Sequence, residues 1–188
     1  MIYYLNSLPS SGPSAAKYIA NFDFTQSLTD SVNGMIATIG AATRDSNGVH
    51  LSASNSYINI ADLKGIMYLP IFTIEVDVGA CNATPSSDHK RFILWNNDSG
   101  FIFRSTGNWN IYNNGWQEAG SSDINAFSNS TLKMKFYFDH KIEVYKNNTL
   151  FYSDNNVGAL NSPTGLLIGS TSASFYDVYI KAVRAYYD

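Results

Sequence analysis

The chain has little of what most often declares a function. Only 14% of its 188 residues are charged, against about 25% in an average soluble protein. Lys and Arg number 12 against 15 Asp and Glu, a formal net charge of −3, and the basic residues are scattered. That speaks against nucleic acid as a partner, because counterion release needs a basic stripe. Cys81 is the single cysteine, so no intramolecular disulfide forms. No apolar run approaches the roughly 20 residues of a membrane-spanning helix. The opening MIYYLNSLPSSGPSAA has no basic n-region and no long apolar stretch, so no secretory signal peptide is expected and synthesis is expected in a cytoplasm. His50, His89 and His140 lie far apart, with no zinc spacing. No glycine-rich loop joins a strand to a helix in the manner of a phosphate cradle. Cys81 has no local partner that would mark a nucleophile, and nothing specific suggests a Ser/His/Asp triad. No cofactor is expected.

What the chain does have is apolar and aromatic mass. Hydrophobic residues make up 45%, with 13 Tyr, 11 Phe and 3 Trp, which excludes a disordered chain. The length fits one domain. A chain of this size buries roughly 70% of its unfolded surface and needs no metal or disulfide staple. Apolar residues recur with period two. Phe72, Ile74, Val76 and Val78 share one face, and Thr73, Glu75 and Asp77 the other. The same alternation runs through 132–138, 142–145 and 57–60, the signature of antiparallel strands with one face in a core. Turn formers punctuate the pattern at Asn33-Gly34, Asn47-Gly48, Ser99-Gly100, Asn113-Asn114-Gly115, Asn147-Asn148 and Asn155-Asn156. About a dozen strands follow, too many for one open sheet without curling. The fold class is all-β, a sandwich of antiparallel sheets. The only helix-like patch is 60–69, a single turn between strands.

Two segments depart from the pattern. Residues 1–16 are Tyr-rich and then Ser/Pro/Gly-rich, ahead of a first strand at 18–24. They read as a flexible start or extra edge strand, or as an arm that docks on another subunit through Ile2, Tyr3, Tyr4, Leu5 and Leu8. In the last strand, 175–187, the apolar set slips by one place between Ile180 and Val183, which a β-bulge near Lys181-Ala182 would absorb.

Several segments resemble the laminin-G-like members of the concanavalin A-like lectin/glucanase superfamily. Phe22-Asp23-Phe24 followed by Asp30-Ser31-Val32-Asn33-Gly34 is similar to the family's aromatic strand and Asp-Ser-x-x-Gly loop. Val49-His50-Leu51 with Ser56-Tyr57-Ile58, and then Phe72-Thr73-Ile74-Glu75-Val76, resemble its next strands. The stretch 142–150 resembles its Leu-Tyr-Val-Asn-Gly hairpin, with Asn148 in the glycine place, and 175–186 its closing Ile-Asp-Glu-Val-Arg-Ile-Tyr strand. Together these imply a two-sheet jelly-roll over 17–188, a laminin-G-like domain behind the arm. Relatives often ligate a structural calcium through the Asp of that closing strand. Lys181 stands there, and an ammonium supplies none of the oxygens calcium needs, so no metal is expected. Two readings of Lys181 are open: it replaces the cation by bonding Asp23 or Asp30, or it points to solvent at the bulge.

The glucanase branch works through three carboxylates on one strand. Here Glu75 and Asp77 are two apart, but Gly79 and Ala80 stand where the acid/base belongs. Retaining hydrolysis needs a pair about 5 to 5.5 Å apart, so a β-glucan hydrolase is a remote alternative and the chain is read as non-enzymatic. All three tryptophans fall between Trp95 and Gln117. Sugars stack their C–H faces on aromatic rings and pair their hydroxyls with amides and carboxylates. Trp95, Asn97, Asp98, Arg104, Tyr112, Asn113, Asn114 and Trp116 are the candidate sugar-binding residues; Trp109 reads equally well as core.

The function expected is a non-catalytic carbohydrate-recognition or adhesion module. With a starting Met, no export signal and an apolar arm, a bacteriophage virion is the expected setting: capsid decoration, head fibre or tail adhesin. Its partners would be a surface glycan and other virion proteins held by the arm, with neither nucleic acid nor membrane. The competing reading is a purely structural virion protein. Tyr-rich, charge-poor surface also suits contacts in a homo-oligomer.

Overall fold

The computed structural model describes residues 17–68, 71–82, 89–95, 100–104, 108–112, 116–121, 124–137, 141–155, 164–170 and 177–187. The proposed arm, residues 1–16, lies outside them. The strands run β1 (Lys17–Asp23), β2 (Thr38–Gly40), β3 (Thr43–Asp45), β4 (Gly48–Leu51) and β5 (Tyr57–Ile60). After a 3₁₀ segment, Ala61–Tyr68, come β6 (Ile71–Cys81), β7 (His89–Leu94), β8 (Gly100–Arg104), β9 (Asn108–Tyr112) and β10 (Trp116–Ser121). A second short 3₁₀ segment, Ile124–Phe127, leads into β11 (Ser130–Tyr137), β12 (Ile142–Lys146), β13 (Thr149–Asp154), β14 (Leu166–Gly169) and β15 (Val178–Tyr187). They form two antiparallel sheets. The 8-stranded sheet runs β13-β12-β11-β6-β15-β4-β3, with β1 also on β15; the 7-stranded sheet runs β10-β9-β8-β7-β14-β5-β2. The expected sandwich is the fold.

Period two explains the large sheet. Along β11, burial alternates at every residue, and its register on β6 sets Phe136 against Phe72, Met134 against Ile74 and Leu132 against Val76. These apolar pairs face the other sheet, with the Phe72 and Phe136 rings stacked 4.6 Å apart. The intervening residues pair on the outer face as Lys135 with Thr73 and Lys133 with Glu75. β15 extends both rows with Tyr186 against Thr73 and Arg184 against Glu75. Apolar residues of both sheets, Phe22, Phe24, Phe92, Trp95, Phe101, Trp109 and Phe127 among them, fill the space between.

Local chemistry sets the turns. Asn147 and Asn148 both take positive φ, 50° and 64°, as a two-residue hairpin with the right-handed twist of its strands requires. Asn in the glycine place is tolerated there because its short polar side chain makes the left-handed region affordable. The Asn147 side chain also accepts the Thr131 N–H at 2.9 Å, which ties the turn to β11. Gly48, with φ 114°, is required for a second reason: a Cβ there would sit 2.3 Å from the Ile180 carbonyl. The Asp-Ser-x-x-Gly loop is held by Asp30, which is 3% exposed. Its carboxylate accepts the backbone N–H groups of Asn21 at 2.5 Å, Val32 at 3.0 Å and Asn33 at 2.6 Å.

The bulge expected in the last strand is present: Ile180 opposes Val78 and Ala182 opposes Asp77, leaving Lys181 as the extra residue. Of the two readings of Lys181, the one that points it to solvent at the bulge fits the structure. Asp30 spends its oxygens on backbone N–H groups, Asp23 accepts from Thr25, and Lys181 is exposed, its side chain running over Gly79. The backbone N–H groups on Asp30 hold the loop without help from an ammonium. Among the described residues no group of three or more His, Cys, Asp or Glu could hold a metal.

Candidate functional site

The sugar platform placed between Trp95 and Gln117 divides when folded. Trp95 is 0% exposed and meets Phe136 edge-on at 5.2 Å. A ring buried between two sheets offers no face to a sugar, so Trp95 is corrected from a binding residue to a core residue. Trp109, 1% exposed, is core as well, stacked between Phe101 at 5.0 Å and Phe151 at 4.9 Å. Asn110 is fully buried with its amide unpartnered, so it lies on no open surface. Asn97, Asp98, Asn113 and Asn114 lie outside the described residues. Of Arg104, Tyr112 and Trp116 only the backbone is described: Arg104 opposes His89, and Tyr112 opposes both Gly100 and Trp116.

The outer face of the 8-stranded sheet brings together chemistry that no stretch of sequence displays. One row runs Tyr186, Thr73, Lys135, Glu143; the next runs Arg184, Glu75, Lys133, Tyr145. A groove of about 300 Å³ opens over these rows, lined by Thr73, Lys133, Lys135, Tyr145, Asn148 and Tyr186. Thr73 lies beneath it, 1% exposed, and its hydroxyl has no hydrogen-bond partner among the described residues. The flanking long side chains keep it from bulk water. A buried hydroxyl without a partner costs about 1–3 kcal/mol, a cost that a ligand oxygen in the groove would remove.

The groove's walls are held stiff. The Tyr186 hydroxyl donates to Glu75 at 2.6 Å, and Glu75 also takes Lys133 at 3.1 Å and Arg184 at 3.2 Å. The Tyr145 and Tyr137 hydroxyls both donate to Glu143 Oε2 at 2.6 Å, and Lys141 lies 2.5 Å from its other oxygen. Burial pushes the Glu143 carboxyl up, but the hydrogen bonds from Lys141, Tyr137 and Tyr145 outweigh it and hold the group at about 2. The hydrogen bond to Glu143, with burial, pushes the Tyr145 phenol up to about 12. Lys133 bridges the site, its Nζ 2.8 Å from the Asn148 side-chain oxygen and 5.9 Å from the Tyr145 ring centre.

Glu75 and Asp77, weighed as glucanase carboxylates, are bound to one guanidinium: Arg184 pairs with both, and Thr131 donates to Asp77 at 2.7 Å. Together they form a cross-strand ion network. The outer-face rows are visible in sequence as the polar half of the period-two pattern. Their assembly into a groove depends on register between strands far apart in the chain.

No family model and no curated protein matches the chain. Solved structures do. Trypanosoma rangeli sialidase in complex with sialic acid superposes with a TM-score of 0.69 at 14% identity, over 96% of this chain and 33% of the sialidase. The likeness is of fold alone. Domain 4 of AbnA, an extracellular arabinanase from Geobacillus stearothermophilus, seen with arabinotriose, is similar at TM-score 0.62 and 13% identity, over 93% of this chain and 94% of that one. Botulinum neurotoxin type C, whose passage into cells depends upon interaction with two ganglioside molecules, matches at TM-score 0.64 and 13% identity, over 90% of this chain and 47% of the toxin chain. The chain thus spans about a third of the sialidase it resembles.

Proposed function

We propose that this chain is a non-catalytic carbohydrate-recognition β-sandwich that holds a glycan in the groove on the outer face of its 8-stranded sheet. The observation that carries the reading is the Thr73 hydroxyl, buried and without a partner among the described residues, beneath a groove walled by Tyr145 and Tyr186 and edged by Lys133, Lys135 and Asn148. Tyrosine rings, ammonium groups and an amide are the groups that stack on sugar rings and bond sugar hydroxyls. The similar solved structures support it to the extent that a domain of this shape, domain 4 of AbnA, is seen with arabinotriose. The non-catalytic part is supported by the engagement of Glu75 and Asp77 with Arg184, which leaves neither placed as a nucleophile or proton donor. A laminin-G-like kinship, on the segments that resemble that family, and display on a bacteriophage virion, with the arm 1–16 docked on a virion protein, belong to the same proposal.

The test is a panel of bacterial and host surface glycans offered to the purified chain, with and without chelator. Binding that survives chelation, releases no reducing sugar and is lost in Tyr145→Ala supports the reading. Binding lost in Trp116→Ala or Tyr112→Ala but kept in Tyr145→Ala overturns the placement and moves the site to the β9–β10 ladder. No binding to any glycan overturns recognition and leaves the structural virion role.

A further inference from the structure

We infer that Tyr18 is a second stacking subsite beside the groove, so that the chain holds a linear oligosaccharide laid across its strands rather than a single terminal sugar. The inference rests on the glycan-binding reading above and adds the form of the ligand and one residue to its site.

The aim of the ring is the first observation. On β1, Ala20 and Phe22 lie in the core, and strict alternation would send Tyr18 to the same side. It does not go there. Tyr18 opposes Tyr186 and Ala20 opposes Ala185, so Ile19 is an extra residue in the ladder. A bulge of this kind re-aims the side chain before it, here to the other face of the sheet. Tyr18 thereby joins the outer row, which runs Tyr18, Tyr186, Thr73, Lys135, Glu143. Two contacts along the edge of β1 fix the bulge. The Asn33 side chain donates to the Ile19 carbonyl at 2.6 Å, and Asp30 accepts the Asn21 N–H at 2.5 Å.

Exposure is the second. Tyr18 is 44% exposed, whereas Tyr186 beside it is 7% exposed. The two rings meet edge-on, 5.5 Å between centres and 71° between planes, a contact that leaves at least one face of the Tyr18 ring open. Turned outward, the ring forgoes the burial that Ala20 and Phe22 gain. The C–H face of a sugar stacked on it would restore that burial.

Spacing is the third. The groove lining comes from β15, β6, β11, β12 and the turn after β12, and β1 lies one strand beyond β15. Neighbouring strands are about 4.8 Å apart, close to the length of one sugar unit, so the four ladder steps from Tyr145 to Tyr18 cover roughly 19 Å, or about three to four units. The groove itself, about 300 Å³, lies at the lower end of the roughly 300–1,000 Å³ seen for small-molecule sites. It takes the units over Thr73, and Tyr18 takes the one at the end.

The experiment titrates the full chain, by calorimetry, with mono- to hexasaccharides of arabinan, β-1,4-glucan and poly-N-acetyllactosamine, beside the glycan panel. Affinity should rise with length and level off at about three to four units. Tyr18→Ala and Tyr18→Leu should each weaken the longer oligosaccharides roughly three- to tenfold and leave the disaccharide unchanged, while Tyr18→Phe should bind as the parent does. Leucine keeps apolar bulk without a flat ring, so it separates stacking from packing, and an unchanged melting temperature in Tyr18→Leu shows that β1 stays in place. Affinity that does not depend on length, or long-chain affinity that survives Tyr18→Leu, overturns the extended site while glycan binding stands. Binding on the panel with none of the three linear series bound does the same. A changed oligomeric state in Tyr18→Leu with unaltered glycan affinity assigns the ring to a subunit contact and overturns the subsite. If nothing on the panel or in the series binds, the underlying reading fails and the inference with it.

Discussion

Arg184 on β15 lies beside Glu75 on β6, Nη1 to Oε2 at 3.2 Å, and the same guanidinium reaches Asp77 two residues along. A planar fork holds two carboxylates in a fixed geometry, where a lysine offers only a compact point charge on a flexible stem. It joins three strands, because Glu75 also takes Lys133 from β11. Arg184→Ala should therefore cost about 1–3 kcal/mol in urea unfolding, less than the roughly 3–5 of a fully buried pair because the side chain is 25% exposed. Arg184→Lys should recover only part of it. A cost within about 0.5 kcal/mol of zero would place the network among ordinary surface pairs.

Trp109 makes its contribution by packing alone. Its indole N–H has no partner among the described residues, and its ring lies between Phe101 and Phe151. Trp109→Phe should cost less than about 1.5 kcal/mol because no hydrogen bond is lost, whereas Trp109→Ala should cost about 3–5. Neither should alter glycan affinity in the fraction that remains folded. A specific loss of binding in stable Trp109→Phe would return this residue to the ligand site.

Glu143 should shape the acid limb of stability. Its folded value of about 2 lies below its ordinary 4.5, so between these values the unfolded chain holds the proton and the folded one does not. Its contribution is complete above about pH 4.5 and is lost as pH falls through about 2. Glu143→Gln should be less stable than the parent at pH 7 and converge on it near pH 2. In the same variant the Tyr145 phenol, held at about 12, should ionise at lower pH in an ultraviolet titration. A constant stability gap from pH 7 to 2 would show that the carboxylate's charge is not what the three donors stabilise.

The Asn147-Asn148 turn makes a sharp local prediction. Asn147→Ala keeps a positive φ of 50° without a polar side chain to ease it, and strands the Thr131 N–H. A cost of about 1–3 kcal/mol is expected. Asn148→Gly should be close to neutral for folding, since glycine suits that φ. If Asn147→Ala were harmless, the hairpin would be set by its strands rather than its turn.

Metal removal should do nothing. With Asp30 filled by backbone N–H groups and Lys181 at the bulge, excess chelator should leave the melting temperature unchanged. A fall on chelation, reversed by calcium, would mean that ligands lie outside the described residues.

The sequence by itself determined what is local. Strand against helix, the Asn-Asn hairpin and the bulge at Lys181 all follow from period, turn chemistry and a one-place slip, which need only a few neighbouring residues to be read. Tertiary structure decided which face is which. Alternation says that Trp109 and Asn110 point opposite ways, not that both end up buried, and it cannot tell that Trp95 lies between the sheets. The groove was the least legible feature. Thr73, Lys135 and Tyr186 share a row only because β6 pairs with both β11 and β15 in a particular register, and a single-residue slip in either ladder would turn that whole row into the core.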